Sequence, residues 1–156
     1  MSQEKILSMI QQYGNNRSFT GPVDDSRIKQ IENMLEVTLP DDYKWFVRNF
    51  GHGGIAGVEI LGIAKTEIPT CVKSTQTYRE EGLPHSLVVI ENCDEWVYCL
   101  DTSKLVNGEC PVIDWDFLGN AGIQTYKNFY EFLSDRFSDA VENLYDDETN
   151  GSYDYL

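Results

Sequence analysis

The sequence predicts an α+β fold: an N-terminal helical pair and a long C-terminal helix packed with a mixed, mainly antiparallel sheet. Three observations carry this. Apolar residues recur at helical spacing up to Phe50. After Gly54 the period changes to short runs rich in Val and Ile, bounded by turn residues. The helical period returns only near the end, so the order is helices, strands, helix rather than alternating βαβ.

In chain order, Glu4 to Tyr13 reads as a short amphipathic helix with Ile6, Met9, Ile10 and Tyr13 on one face. A loop follows, with Phe19 available to the core. Asp24 and Asp25 are placed to cap a second helix carrying Ile28, Ile31 and Leu35. Pro40 forces Leu39 out of the helical region and suits the first turn of a third helix. There Tyr43, Phe46, Val47 and Phe50 fall on one face, Trp45 lies about one residue step off it, and Gly51 supplies a left-handed stop.

Gly57 to Ala64 reads as a strand reached through the Gly53-Gly54 turn. Pro69 can open a helix with Val72, Gln76 and Arg79 along one side, ended by Gly82. Leu87–Glu91 and Glu95–Asp101 read as a hairpin. A turn centred on Cys93-Asp94 pairs Glu91 with Trp96 and Val89 with Tyr98, leaving Val88 and Ile90 with Val97 and Cys99 on the other face. Pro111 to Trp115 is a further strand, and Phe117 to Gln124 a glycine-containing loop. Thr125 is placed to cap the last helix, whose stripe is Tyr126, Phe129, Leu133, Phe137, Ala140, Val141 and Leu144. Residues 1–145 read as one domain and 146–156 as an acidic, flexible tail.

Charge is the most informative bulk property. Lys and Arg number 12 against 26 Asp and Glu, a net −14, and residues 101–156 alone hold 12 acids against 3 bases. A field of this sign repels nucleic acid and anionic lipid and favours a cationic partner. No apolar run reaches about 18 residues, and the N-terminus lacks a basic and apolar leader pattern, which points to the cytoplasm. None of the four cysteines sits in a C-x-x-C pair or beside a histidine, so free thiols, no metal, no cofactor and a monomer are expected.

Asp114 and Asp116 flank Trp115 on a strand, so their carboxylates share a face about 6.6–7 Å apart. With Glu91 or Asp101 they could bind a cation or act as an acid/base pair, but no histidine or phosphate-cradling loop accompanies them. His52 lies in a Gly-His-Gly-Gly loop without a nucleophile elbow, and His85 has no ligand partner in reach. The catalytic inventory is empty, and a protein-binding surface is the better reading. Two acidic clusters compete for it. Glu131 to Asp154 is a helix face and tail, where acids solvate. Glu91 to Asp116 lies on strand ends and turns that hold carboxylates in fixed array, with Trp96 as apolar anchor. The candidate set is Glu91, Asp94, Glu95, Trp96, Asp101, Asp114 and Asp116, with Glu59 as an outlier.

Several pieces also resemble a known family. These are Glu32 in an apolar helix, Leu39-Pro40, Asp42-Tyr43, Phe46 and Gly53-Gly54, followed by Leu100-Asp101, Pro111-Val112 and Trp115. In this order, over roughly Glu4 to Leu144, they resemble the SUKH superfamily, and within it the YobK-like immunity subset. The superfamily takes part of its name from a yeast cell-wall assembly regulator, and its bacterial members are largely immunity proteins of polymorphic toxin systems. The resemblance implies a non-enzymatic protein that binds a cognate toxin, often a nuclease with a basic active site. The rival readings are a regulatory or scaffold module, and a carboxylate-dependent enzyme or cation binder.

Overall fold

The computed structural model describes residues 2–154 of the chain, with side chains from Gln3 to Tyr145. Five helices surround a four-stranded antiparallel meander of order β1-β2-β3-β4. Helix α1 (Ser2–Tyr13) lies along the last helix, α5 (Phe129–Asp154). The acidic tail expected after Tyr145 falls outside the described side chains.

Helix α2 (Asp25–Leu35) starts as its sequence directs: the Asp24 carboxylate accepts the Ser26 and Arg27 N–H groups. It ends at Glu36, held at φ 57°. Buried Glu32 then closes the elbow into α3 (Asp41–Phe50). It accepts the Leu39 N–H at 2.8 Å and lies 3.4 Å from Lys44 Nζ. This compensates a carboxylate that burial would otherwise penalise. Pro40 stands at the N-cap of α3 rather than inside its first turn. Gly51 has positive φ, but at ψ −78° it is not a left-handed α cap. A Cβ there would collide with the Gly21 carbonyl and the Thr20 hydroxyl, so close approach explains the glycine.

Asp42 and Tyr43 tie α3 to the rest of the molecule. Tyr43 donates its hydroxyl to the Leu61 carbonyl at 2.6 Å. Asp42 accepts the Tyr43 N–H at 2.8 Å and the Phe129 and Tyr130 N–H groups at 3.0 and 3.4 Å, so it caps α5 from across the fold. Asn128 completes that cap through the Glu131 N–H at 2.8 Å, the role expected of Thr125. Burial pushes the Asp42 carboxyl up to about 6, against the three N–H groups that favour the anion. A carboxyl raised in the folded state adds stability below its unfolded value near 4, and that contribution is lost as pH rises through 6. Between pH 4 and 7 this group should remove up to about 3 kcal/mol. Denaturant melts of wild type and Asp42→Asn across that range check it. The variant is expected to be the weaker at pH 4, because its amide faces N–H donors, and to lack this slope. Parallel slopes would refute it.

The Gly57–Ala64 run is not a strand. Its main-chain bonds form no continuous ladder: Ile60 and Gly53 exchange a pair, the Ile63 N–H reaches the Gly51 carbonyl in the same loop, and the Leu61 N–H reaches the Ile90 carbonyl of the sheet. Ala56 and Gly57, both at positive φ, form a turn closed by the Val58 N–H on the Ile55 carbonyl at 3.0 Å, and the pairing beyond it stays an isolated bridge. The apolar residues of the run are nonetheless core, with Val58, Ile60, Leu61 and Ile63 buried. Gly53 and Gly54 are required by close approach to the Ser18 and Val58 carbonyls, not only by a turn.

Helix α4 (Thr70–Glu80) buries Cys71, Val72 and Thr75, while Gln76, expected on that face, is exposed. The Thr75 hydroxyl accepts the Val89 N–H at 2.9 Å, so α4 and Leu61 together satisfy the outer edge of β1 (Leu87–Asn92).

The register of β1 against β2 (Trp96–Asp101) differs from expectation. Asn92 pairs with Val97 and Glu91 with Tyr98; beyond a bulge at Ile90, Val89 pairs with Cys99 and Val88 with Leu100. The turn is longer than two residues because Asn92 Oδ1 accepts the Asp94 N–H at 2.8 Å and Asp94 takes φ 68°. Strand β3 (Val112–Asp116) pairs with β2 and then with β4 (Ala121–Tyr126), which the sequence reading placed partly in a loop. Residues 121–125 of β4 are exposed, so burial imposed no alternation on them. Helix α5 covers one sheet face through Phe132, whose ring lies 5.1 Å from that of Tyr98 and 5.3 Å from that of Tyr126. Its buried stripe is Phe129, Phe132, Leu133, Phe137 and Val141; Tyr126 belongs to β4, and Leu144 is exposed.

Candidate functional site

Antiparallel pairing of β2 with β3 sets Trp96 opposite Asp116. The β1–β2 turn therefore lies beside the β3–β4 turn, at one end of the sheet. Each turn is built by a carboxamide or carboxylate accepting main-chain donors. In the first, Asn92 holds Asp94, and the Cys93 N–H reaches the Trp96 carbonyl at 2.9 Å. In the second, Asp116 Oδ1 accepts the Leu118 and Asn120 N–H groups at 2.9 and 3.0 Å, and its Oδ2 accepts Asn120 Nδ2 at 3.1 Å. Partial desolvation pushes the Asp116 carboxyl up, but these bonds outweigh it and hold it below the usual carboxylate value.

The candidate acids separate by role. Asp94 and Glu95 are exposed on the first turn beside Trp96, itself 38% exposed. Asp116 shares their end but is committed to its turn. Asp114, two pairs further in opposite Tyr98, accepts the Gln124 N–H at 3.1 Å. It fills a bulge where Gly122, Ile123 and Gln124 lie between the Ile113–Thr125 and Trp115–Ala121 pairs. Glu91 is buried and points inward, where Arg136 of α5 grips it at 2.8 and 2.7 Å and stacks 5.5 Å over Tyr98. Asp101 is at the far end of β2, roughly 17 Å away along the strand. Also buried, it caps the 3-10 turn Thr102–Lys104 through the Ser103 N–H and hydroxyl. Glu91 and Asp101 hold the fold together and present no free carboxylate. Glu59, 69% exposed, borders a groove of about 370 Å³ that Asn92, Leu61, Thr70 and Tyr78 also line, so it does adjoin the sheet end.

The histidines and thiols take other parts. His52 Nδ1 lies 2.8 Å from the Thr70 hydroxyl, which also bonds both main-chain groups of Gly62. Its Nε2 lies 3.7 Å from Glu59. His85 Nε2 sits 3.4 Å from the Glu36 carbonyl. Burial, then the nearby Glu91 carboxylate, pushes the half-buried Cys93 thiol up to about 11; burial alone accounts for most of the rise to about 12 at Cys71 and Cys110. These are protonated, weakly nucleophilic thiols at neutral pH. Among the described residues no cluster of three His, Cys, Asp or Glu side chains could hold a metal ion. No helix among them is long and apolar enough to cross a membrane.

The sequence reading missed the apolar part of this end. Phe117 is 50% exposed and Leu118 88% exposed on the second turn, and Ile123 is exposed on β4. A signal existed: an apolar pair stands directly before Gly119-Asn120, a turn dipeptide where solvent-facing polar residues are the ordinary choice.

Two comparisons bear on what this chain is. A crystal structure of a protein from Pseudomonas syringae pv. tomato superposes with a TM-score of 0.67 at 17% identity, covering 83% of this chain and 93% of that one; it shows the fold alone. The family model SUKH_5, described as SMI1-KNR4 cell-wall, matches residues 3–138. That span takes in Glu32 at the α2–α3 elbow, Asp42 capping α5, Tyr43 on the core loop, and the whole sheet. The chain thus belongs to the SUKH_5 (SMI1-KNR4) family.

Proposed function

We propose that this protein is an immunity protein, which neutralises a cognate toxin by binding it through the acidic end of its sheet. One observation carries the reading: Trp96 stands exposed between Glu95 and the Asp116 turn, with Asp94 beside it, and no Lys or Arg occurs in residues 87–101 or 112–126. An aromatic rimmed by unopposed acids suits a desolvated contact with a cationic protein surface. A toxin that cleaves nucleic acid carries such a surface to hold phosphates. Binding needs no chemistry from the inhibitor. That agrees with Glu91, Asp101, Asp114 and Asp116 being spent on turns, a bulge and a buried ion pair. Family membership supports the reading at the level of the superfamily.

Coexpression with the toxin domain encoded beside this gene tests it. The wild-type chain should protect cells and co-purify with that domain. Asp94→Ala combined with Glu95→Ala should slow association several-fold at low salt and flatten its salt dependence. Trp96→Ala should chiefly speed dissociation, by about tenfold or more. A chain ending at Asn150 should bind like the full one. Failure of the wild type to bind any neighbouring toxin, with a cellular protein captured instead through the same residues, would favour a regulatory module.

A further inference from the structure

The β3–β4 turn pairs features that chain reversal alone does not require. Its tip residue Leu118 is almost wholly in solvent, yet the backbone carrying it is fixed. The Asp116 side chain accepts three donors from the turn, the Gly119 N–H reaches the Asp116 carbonyl at 3.0 Å, and the Asp116 N–H reaches the Asn120 carbonyl at 3.0 Å. Phe117 is braced from behind by Tyr78 and Trp115, at 5.3 and 5.7 Å between ring centroids. A leucine held this way loses little backbone entropy on binding, because its main chain is already ordered.

We propose that Leu118, supported by Phe117, is a second apolar anchor of the complex beside Trp96, inserting into a concave, cation-rimmed pocket of the toxin. This rests on the immunity reading above. The occupant follows from shape and charge. The turn projects beyond the sheet, so its counterpart is hollow. Asp94, Glu95 and Asp116 surround the neighbouring ends of the two hairpins, so its rim is basic. A second copy of this chain fits poorly: a two-fold contact would bring those acids against their own images, on partners of charge −14 each. Leu118 thereby acts on residence time, while the flanking acids act on encounter.

Binding kinetics with the toxin domain encoded beside this gene separate these roles. Leu118→Ser should raise Kd about tenfold or more through faster dissociation, leaving association and its salt dependence unchanged. Leu118→Met should recover affinity to within about threefold. The Asp94, Glu95 double variant should show the opposite split. Leu118→Ser should melt with wild type, since that side chain packs on nothing. Wild-type affinity in Leu118→Ser, or a loss confined to association, would overturn the anchor while leaving the immunity reading standing. A wild-type chain that does not bind the toxin would overturn the reading and, with it, the anchor's occupant. A concentration-dependent dimer abolished by Leu118→Ser would assign the tip to a second copy and also overturn the proposal.

Discussion

Phe46→Ala is expected to destabilise this protein by about 3–5 kcal/mol, a large share of the roughly 5–15 kcal/mol available to a domain. Phe46 is fully buried where three segments meet. Its ring centroid lies 5.7 Å from Phe50 on its own helix, 5.7 Å from Phe129 on α5, and 6.1 Å from Phe19 in the loop after α1. Truncation leaves a cavity lined by aromatic rings on rigid elements, which cannot collapse to fill it. Phe50, half-buried at the end of the same face, should cost clearly less. Urea melts of the two variants measure both. A loss below about 1 kcal/mol for Phe46→Ala would mean that the aromatic junction is not what holds α3 to α5.

Arg136→Met is expected to cost about 3 kcal/mol or more, although Arg136 is itself partly exposed. The cause lies in its partner. Glu91 is buried, and both carboxylate oxygens are held by the guanidinium, so removing Arg136 strands a charge among Tyr98 and the strand interior. Hydrogen bonding to Glu91 comes first among the effects that hold the Arg136 guanidinium above its ordinary value, ahead of the opposing loss of solvent. Replacing both groups, with Glu91→Leu added, should recover most of the loss, because no charge is then left without a partner. Thermal and urea melts of the single and double variants would show the idea wrong if the double variant were the weaker. The same pair docks α5 on the sheet, so the single variant is expected to act through folding and to leave the exposed turns at the sheet end unchanged.

The sequence was most readable where a single periodicity governs burial. Ile28, Ile31 and Leu35 on α2, and Tyr43, Phe46 and Val47 on α3, are buried as their 3.6-residue spacing requires. Apolar content alone was less reliable. Residues 57–64 are as apolar as a strand and largely buried, but their hydrogen bonds make isolated bridges rather than a ladder, and periodicity reports burial rather than pairing. Strand β4 fails in the opposite sense: it pairs fully with β3 at Val112 and Ile113, yet carries no pattern, since neither of its faces is covered along 121–125.

The candidate site divides along the same line. Local sequence determined that acids and Trp96 cluster on turns, because a turn is made by residues a few positions apart and its chemistry is local. The Asp24 cap of α2 and the acidic balance belong to the same category. Only the tertiary structure decided which acids are free. Glu91 turns inward because α5 covers the face it shares with Tyr98, and because its partner Arg136, 45 residues away, waits there. Asp42 is a cap for a helix that begins 87 residues later. Leu118 is left in solvent because Asp116 spends its carboxylate fixing the turn beneath it. A carboxylate's availability depends on which donors the folded chain brings within about 3 Å, and those donors are set by long-range packing, which no window of neighbouring residues contains.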